Sequence, residues 1–162
     1  MGPMRAACRF ARELAARGPI ERVARVRAEL YGSLALTGLG HATDRAVLLG
    51  LAGYEPATID PAAIERTVAA IRAAKQIELA GKWTIPFDEP HDLLFERAVM
   101  YPPGAKMQHP NGIRFTAFGE AGDTLPGAPS SPSAAASSRR TGATLPPRSR
   151  RSRFPFQSAI VR

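Results

Sequence analysis

Cysteine is almost missing from this chain, with Cys8 the single thiol in 162 residues. One thiol excludes an internal disulfide framework and any metal site built from several thiolates of this chain. A reducing compartment, the cytoplasm, is the expected setting. Long apolar runs are missing too. The longest, around Ala46 to Ala52, falls far short of the roughly 20 residues needed to cross a bilayer. The N-terminal segment has basic residues and alanines without the continuous apolar core of a signal peptide. The expectation is a soluble protein, not exported and with no membrane partner. A Walker loop, a GxSxG elbow and a dinucleotide fingerprint are absent as well. His41, His91 and His109 have no mutual spacing that would specify a metal site, so no metal is expected on this chain.

Acidic residues are missing from one end. None follows Asp123, whereas seven arginines lie between Arg139 and Arg162. Removing those seven charges from the formal +8 leaves +1 for everything before the tail. A nearly neutral body with a basic Ser/Pro/Ala-rich tail does not have the charge layout of a DNA-binding domain, so nucleic acid is not the expected partner.

What is present suffices for one core, since 44% of the residues are hydrophobic, but the length argues against two full domains. Met4, Ala7, Ala11, Leu14 and Ala15 recur at helical spacing after Pro3, and Gly18-Pro19 ends that helix. In RVARVRAELYG, Val26, Ala28 and Leu30 alternate with Arg25, Arg27 and Glu29, a strand with one wet face. Thr43 or Asp44 is positioned to cap a helix that Gly53 stops. Asp60 and Pro61 open another helix, with Ile64, Val68 and Ile71 on one face. Short strands are predicted at Ile77 to Leu79, Trp83 to Phe87, Leu93 to Glu96 and Ile113 to Phe118. Their close, hairpin-like succession favours an α+β fold over α/β.

Two stretches carry possible chemistry. In TGLGHATD, Gly38 and Gly40 let the backbone approach a ligand, the following helix start directs amides at an anion, and His41 can bind a carboxylate or relay a proton. A turn with a structural histidine explains the same letters, and local spacing alone favours it. In MQHPNGIRF, Pro110 and Asn111-Gly112 make a turn leading into a strand, while the Asn111 amide is also suited to a small polar ligand. Cys8, among alanines, reads as a small packed side chain.

Taken together, GPMRAACRFARELAARG, RVRAELYGSLALTGLGHATDRAVLLGLAG, EPATIDPAAI and HPNGIRFTAF resemble, in order, the N-terminal β-chain-type domain of bacterial iron-sulfur-dependent L-serine dehydratase, or L-serine ammonia-lyase. The resemblance spans roughly Gly2 to Thr124. It implies a two-layer α+β sandwich of a mixed sheet with helices on one side, similar to the substrate-binding regulatory domain of phosphoglycerate dehydrogenases. It implies a partner, an α-helical catalytic domain whose cysteines hold a 4Fe-4S cluster. There an open iron eases departure of the serine hydroxyl, giving pyruvate and ammonia without pyridoxal phosphate. Amino-acid catabolism and gluconeogenesis are the implied context, and a homodimer is left open.

Gly40, His41, Thr43 and Asp44 match the family's Gly-His-x-Thr-Asp stretch, and Asn111 and Gly112 its Asn-Gly turn. The resemblance makes His41 the leading catalytic residue, as a substrate contact or proton relay. Gly40, Thr43, Asp44, Asn111 and Gly112 become substrate-binding candidates. Leu39 stands where the family commonly has Lys. The cluster ligands are absent from this chain, so catalysis by it alone is not expected.

Two departures from the family bear on the ends. The family has Ser-Ser-Ser-His-Thr before Val-Gly-Pro-Met, and Met1 takes the valine's place. An internal start at a GTG codon of a longer gene is the expectation. Where the family continues as a strand and a Gly-Gly-Gly-Phe turn, this chain has APSSPSAAASS, Ala128 to Ser138. One choice of GC-rich codons for those residues reads Thr-Phe-Phe-Ser-Val-Gly-Gly-Gly-Phe-Val in the next frame. A frameshift near Leu125 is therefore expected, with the frame recovered at FPFQSA. The domain division is then 1–125 for an incomplete β-type domain and 126–162 for a disordered basic tail, with an unpaired sheet edge left behind. Two other functions compete: a non-catalytic serine-sensing module, and a nucleic-acid binder working through the tail.

Overall fold

The computed structural model describes residues 1–18, 20–38, 40–104, 110–125 and 132–134. Helix α1 (Gly2–Arg17) starts on Pro3, which fits a first helical turn. It buries Met4, Ala7, Ala11 and Leu14 of the face read from the sequence together with Cys8 and Phe10, while Ala15 is half-buried. Gly18 ends it with extended backbone, its N–H donating to the Leu14 carbonyl at 3.0 Å.

After a 3-10 turn at Ile20–Arg22 comes β1 (Arg25–Gly32), then a short α2 (Ser33–Thr37), α3 (Thr43–Leu51) and α4 (Pro61–Ala74). Strands β2 (Gln76–Leu79) and β3 (Trp83–Pro86), the helical turn α5 (Glu89–Asp92), β4 (Leu93–Glu96), β5 (Asn111–Phe118) and the three-residue β6 (Pro132–Ala134) follow. The main sheet has the order β4-β1-β5-β6, and β2 and β3 form a separate antiparallel hairpin. The main sheet is mixed: β4 runs parallel to β1, while β5 runs antiparallel to it. The α+β expectation holds.

The hairpin-like succession expected of the later strands applies only to β2 and β3. Strands β4 and β5 do not pair with each other, because β1 lies between them. A parallel β1–β4 pair needs a long crossover, and here the helices and the hairpin supply it.

Alternation along β1 and β5 decides the core. Val26, Ala28, Leu30, Ile113, Phe115 and Ala117 are buried on one face, while Arg25, Arg27, Glu29, Arg114, Thr116 and Phe118 on the other are half-buried. Phe10 of α1 stacks on Phe115, with ring centroids 5.0 Å apart and planes 20° apart. On the other face the Arg27 guanidinium lies 5.4 Å from the Phe118 ring centre. Helices α1 and α3 cross at Gly50, where an added Cβ would sit 2.3 Å from the Met4 carbonyl oxygen. Glycine is required for that approach. The Trp83 indole donates to the Val23 carbonyl at 3.1 Å and pins the hairpin beside the start of β1.

The sequence reading expects the β5 edge to be unpaired and the chain from Pro126 onward to lack order. Pro132–Ala134 depart from this, pairing with Gly112, Ile113 and Arg114 and covering that part of the edge. Ladder bonds join backbone to backbone, so a Ser/Pro/Ala segment can provide them. The rest of 126–162 lies outside the described residues, as do Leu39 and His109.

Candidate functional site

Asn111 and Gly112 lie at one end of the main sheet. The last residue of β1, Gly32, pairs with Asn111, the first of β5, and Tyr31 pairs with Gly112 on one side and Glu96 on the other. The chain turns sharply there. Gly32 has φ +58° and ψ −130°, and a Cβ on it would lie 2.5 Å from the Pro110 carbonyl oxygen and 2.9 Å from that of Met100. Only glycine fits a corner with that backbone and those neighbours. The Ser33 N–H then donates to Pro110 O at 2.7 Å, tying the start of α2 to the approach to β5.

Five residues of α2 advance the chain by about 7.5 Å, to the turn that carries Gly40 and His41. The turn rests on the sheet end, because a Cβ on Gly38 would lie 2.6 Å from the Phe95 ring of β4. The His41 N–H is shared between the Thr37 and Gly38 carbonyls at 3.2 and 3.3 Å, and the Thr43 N–H donates to Gly38 O at 2.8 Å. Gly40 and His41 are exposed. The imidazole is therefore presented outward beside the sheet end.

Thr43 and Asp44 are not caps. The N-cap of α3 is Ala42, in a left-handed conformation (φ 54°, ψ 35°) without a side-chain hydrogen bond. That conformation breaks the helical path between α2 and α3 and leaves His41 at the break. Thr43 and Asp44 are the first residues inside α3 and are buried, at 5% and 8% exposure. Asp44 Oδ2 accepts from Arg72 Nη2 at 2.7 Å, and Arg72 also donates to both Glu89 oxygens, at 2.7 and 2.8 Å. Sequence reasoning missed Arg72, which lies 28 residues beyond Asp44 on what reads as an ordinary polar helix face.

Asn111 is half-buried at the start of β5. Gly112 is buried, and a Cβ there would meet Pro102 Cδ at 2.9 Å and Tyr31 Cβ at 3.3 Å. Its lack of a side chain lets the Pro102 segment lie against the sheet end. The Arg114 guanidinium holds the same segment through the Pro103 carbonyl and sits 6.0 Å from the Tyr31 ring centre. Burial, ahead of the nearby Glu29 charge, raises the Tyr31 phenol above its ordinary value, which keeps it protonated at neutral pH.

Exposed apolar side chains surround this end. Leu36 projects from α2 at 60% exposure, and Val99 and Met100, at 39% and 51%, flank the Gly32 corner.

The serine dehydratase beta chain family model matches residues 1–128. The chain belongs to that family. It is 42% identical over 118 residues to an L-serine dehydratase of Streptomyces coelicolor, covering 73% of this chain and 25% of that protein. It is 40% identical over 125 residues to an L-serine dehydratase of Mycobacterium tuberculosis (77% and 26%) and 35% identical over 119 residues to L-serine dehydratase 1 of Escherichia coli (73% and 25%). The chain thus spans about a quarter of the length of the curated relatives it matches.

The iron-sulfur cluster implied by the sequence resemblance does not fit the residues of this beta chain domain. Its single thiol, Cys8, is buried with Sγ directed at the Gly53 carbonyl, 3.5 Å away. Burial first of all raises its pKa, and a thiol held neutral is a poor metal ligand. Among the described residues no group of three or more Cys, His, Asp or Glu side chains could hold a metal ion. Also among the described residues, no helix is long and apolar enough to cross a membrane.

Proposed function

We propose that this chain is the beta part of an L-serine ammonia-lyase, which lines one wall of a serine site and works in the cytoplasm with a separate cysteine-bearing catalytic part. The observation that carries this reading is His41, exposed on a turn that follows α2 and is braced through Gly38 against Phe95 of β4. An imidazole is suited to contact the serine carboxylate or to relay a proton in an elimination. Asn111 offers an amide for the polar end of a small amino acid, and Gly40 lets the ligand approach the backbone. Thr43, Asp44 and Gly112 are buried, which supports a framing role for them. Any 4Fe-4S cluster is assigned to the catalytic part, since this chain has a single cysteine. We extend the proposal to a two-layer architecture like that of phosphoglycerate dehydrogenase regulatory domains.

The serine-sensing reading competes because the fold can hold a ligand without reacting it. The test is to combine the chain with the cysteine-bearing part of a bacterial L-serine dehydratase and follow pyruvate from L-serine. The expected result is turnover that needs both parts and falls at least about a hundredfold in His41→Ala, with thermal unfolding unchanged. Full activity in His41→Ala would overturn the assignment. Serine binding by the chain alone, with no turnover in any combination, would favour the sensor.

A further inference from the structure

We propose that Arg72 is a positioning residue for His41, acting through Asp44 to fix the first turn of α3. The inference rests on the reading of His41 as substrate-facing, and it changes the role of Asp44 from ligand contact to internal anchor. His41 itself is held weakly. Its N–H is split between two carbonyls at 3.2 and 3.3 Å, and the left-handed Ala42 separates it from the hydrogen-bonded part of α3. The position of the turn is therefore set by what holds Thr43 and Asp44.

Three contacts do so. Thr43 N–H donates to Gly38 O at 2.8 Å, Asp44 accepts from Arg72 at 2.7 Å, and Arg45 pairs with Glu65. The Arg45–Glu65 pair has side chains 42% and 71% exposed, and water screens such a pair to little effect. The Asp44 side chain is 11% exposed, so a lost partner there is not replaced cheaply by water. Arg72 makes this anchor firm because it is itself held: Glu89 of α5 grips its Nε and Nη2 in a forked pair. One guanidinium thus joins α3, α4 and α5 immediately behind the His41 turn. Glu89 is also the main reason that the Arg72 pKa lies above its ordinary value.

The test is NMR on the full chain with labelled histidine and backbone amides. In Arg72→Met the His41 ring resonances shift and the Thr43 and Ala46 amides exchange with solvent about tenfold faster or more. The Trp83 indole N–H, bonded to Val23 at the far end of β1, stays in place. Arg72→Lys keeps a cation for Asp44 without the fork and restores part of the protection. Asp44→Asn reproduces the Arg72→Met shifts and decides the matter should Arg72→Met fail to fold. Unmoved His41 resonances and unchanged Thr43 and Ala46 exchange in a folded Arg72→Met, or in Asp44→Asn, overturn the proposal. Loss of the His41 assignment through a fully active His41→Ala would remove the catalytic meaning but leave these couplings as measured.

Discussion

Replacing Gly32 by alanine tests whether the corner between β1 and α2 is fixed by backbone contact. Two costs arise. At φ +58° and ψ −130° the residue lies outside the ordinary left-handed well, and holding a side-chain-bearing residue there costs about 1–3 kcal/mol. The new Cβ would also sit 2.5 Å and 2.9 Å from two carbonyl oxygens, well inside contact distance, which adds about 1–3 kcal/mol because backbone on both sides must move. Alanine returns about 0.4–1 kcal/mol by restricting the unfolded chain. The net loss is about 2–5 kcal/mol. At about 4 °C per kcal/mol for a domain of this size, the melting temperature falls by about 8–20 °C. Gly81→Ala is the control: its φ is +65° with nothing within 4 Å of a Cβ, so only the conformational cost of about 1–2 kcal/mol applies. Thermal melts by circular dichroism and urea titrations followed by Trp83 fluorescence measure both. If Gly32→Ala loses no more than Gly81→Ala, the Pro110 and Met100 carbonyls do not define this corner.

Three further outcomes are expected. Gly50→Ala gains about 1 kcal/mol of helix propensity but places a Cβ 2.3 Å from Met4 O and 2.7 Å from Ala7 Cβ, so the urea midpoint should fall by the equivalent of about 1–2 kcal/mol; a rise would show that α1 and α3 can separate freely. Cys8, buried and with its thiol pKa raised chiefly by desolvation, should react with iodoacetamide at about pH 8 only as fast as the chain opens, and urea should accelerate it. Alkylation in native buffer at the rate of a free thiol would contradict the burial. The Asp88 carboxyl is held below its ordinary value, first by its hydrogen bond with His91 and then by the Lys75 charge. A lowered carboxylate pKa contributes stability above the unfolded value and loses it as pH falls through the folded one. Wild type should therefore exceed Asp88→Asn in urea midpoint at about pH 6, and the difference should shrink as pH falls below about 4, the ordinary carboxylate range.

The parts of the fold legible in the sequence are those set by local chemistry. Pro3 and Gly18 bound α1, Asp60 caps α4 by accepting from the Ala62 N–H at 3.0 Å, and the period-two alternation of β1 assigns its buried face correctly. Pairing was not legible. Nothing in Leu93–Glu96 states that it runs parallel to β1 while Asn111–Phe118 runs antiparallel, because four-residue strands carry no register of their own and take it from the crossover that delivers them. The cap of α3 was misplaced for a related reason. Thr43 and Asp44 have the chemistry of caps, yet Arg72 and burial draw Asp44 into the helix, and Ala42 accepts the left-handed position that a cap residue would otherwise share.

The site divides along the same line. His41 and Asn111 are visible as letters, but the corner that takes the chain from the strand beside Asn111 into α2 depends on Gly32, whose requirement for glycine comes from two carbonyls at positions 100 and 110. A sequence shows that a residue is glycine and not what it must avoid. Local spacing favours a structural histidine at position 41, and the functional role proposed for it rests on the family resemblance. A histidine that merely turned a corner would spend its ring on a neighbour or on the core. His41 instead is exposed, on a turn braced from behind by Phe95, Gly38 and the Asp44–Arg72 pair.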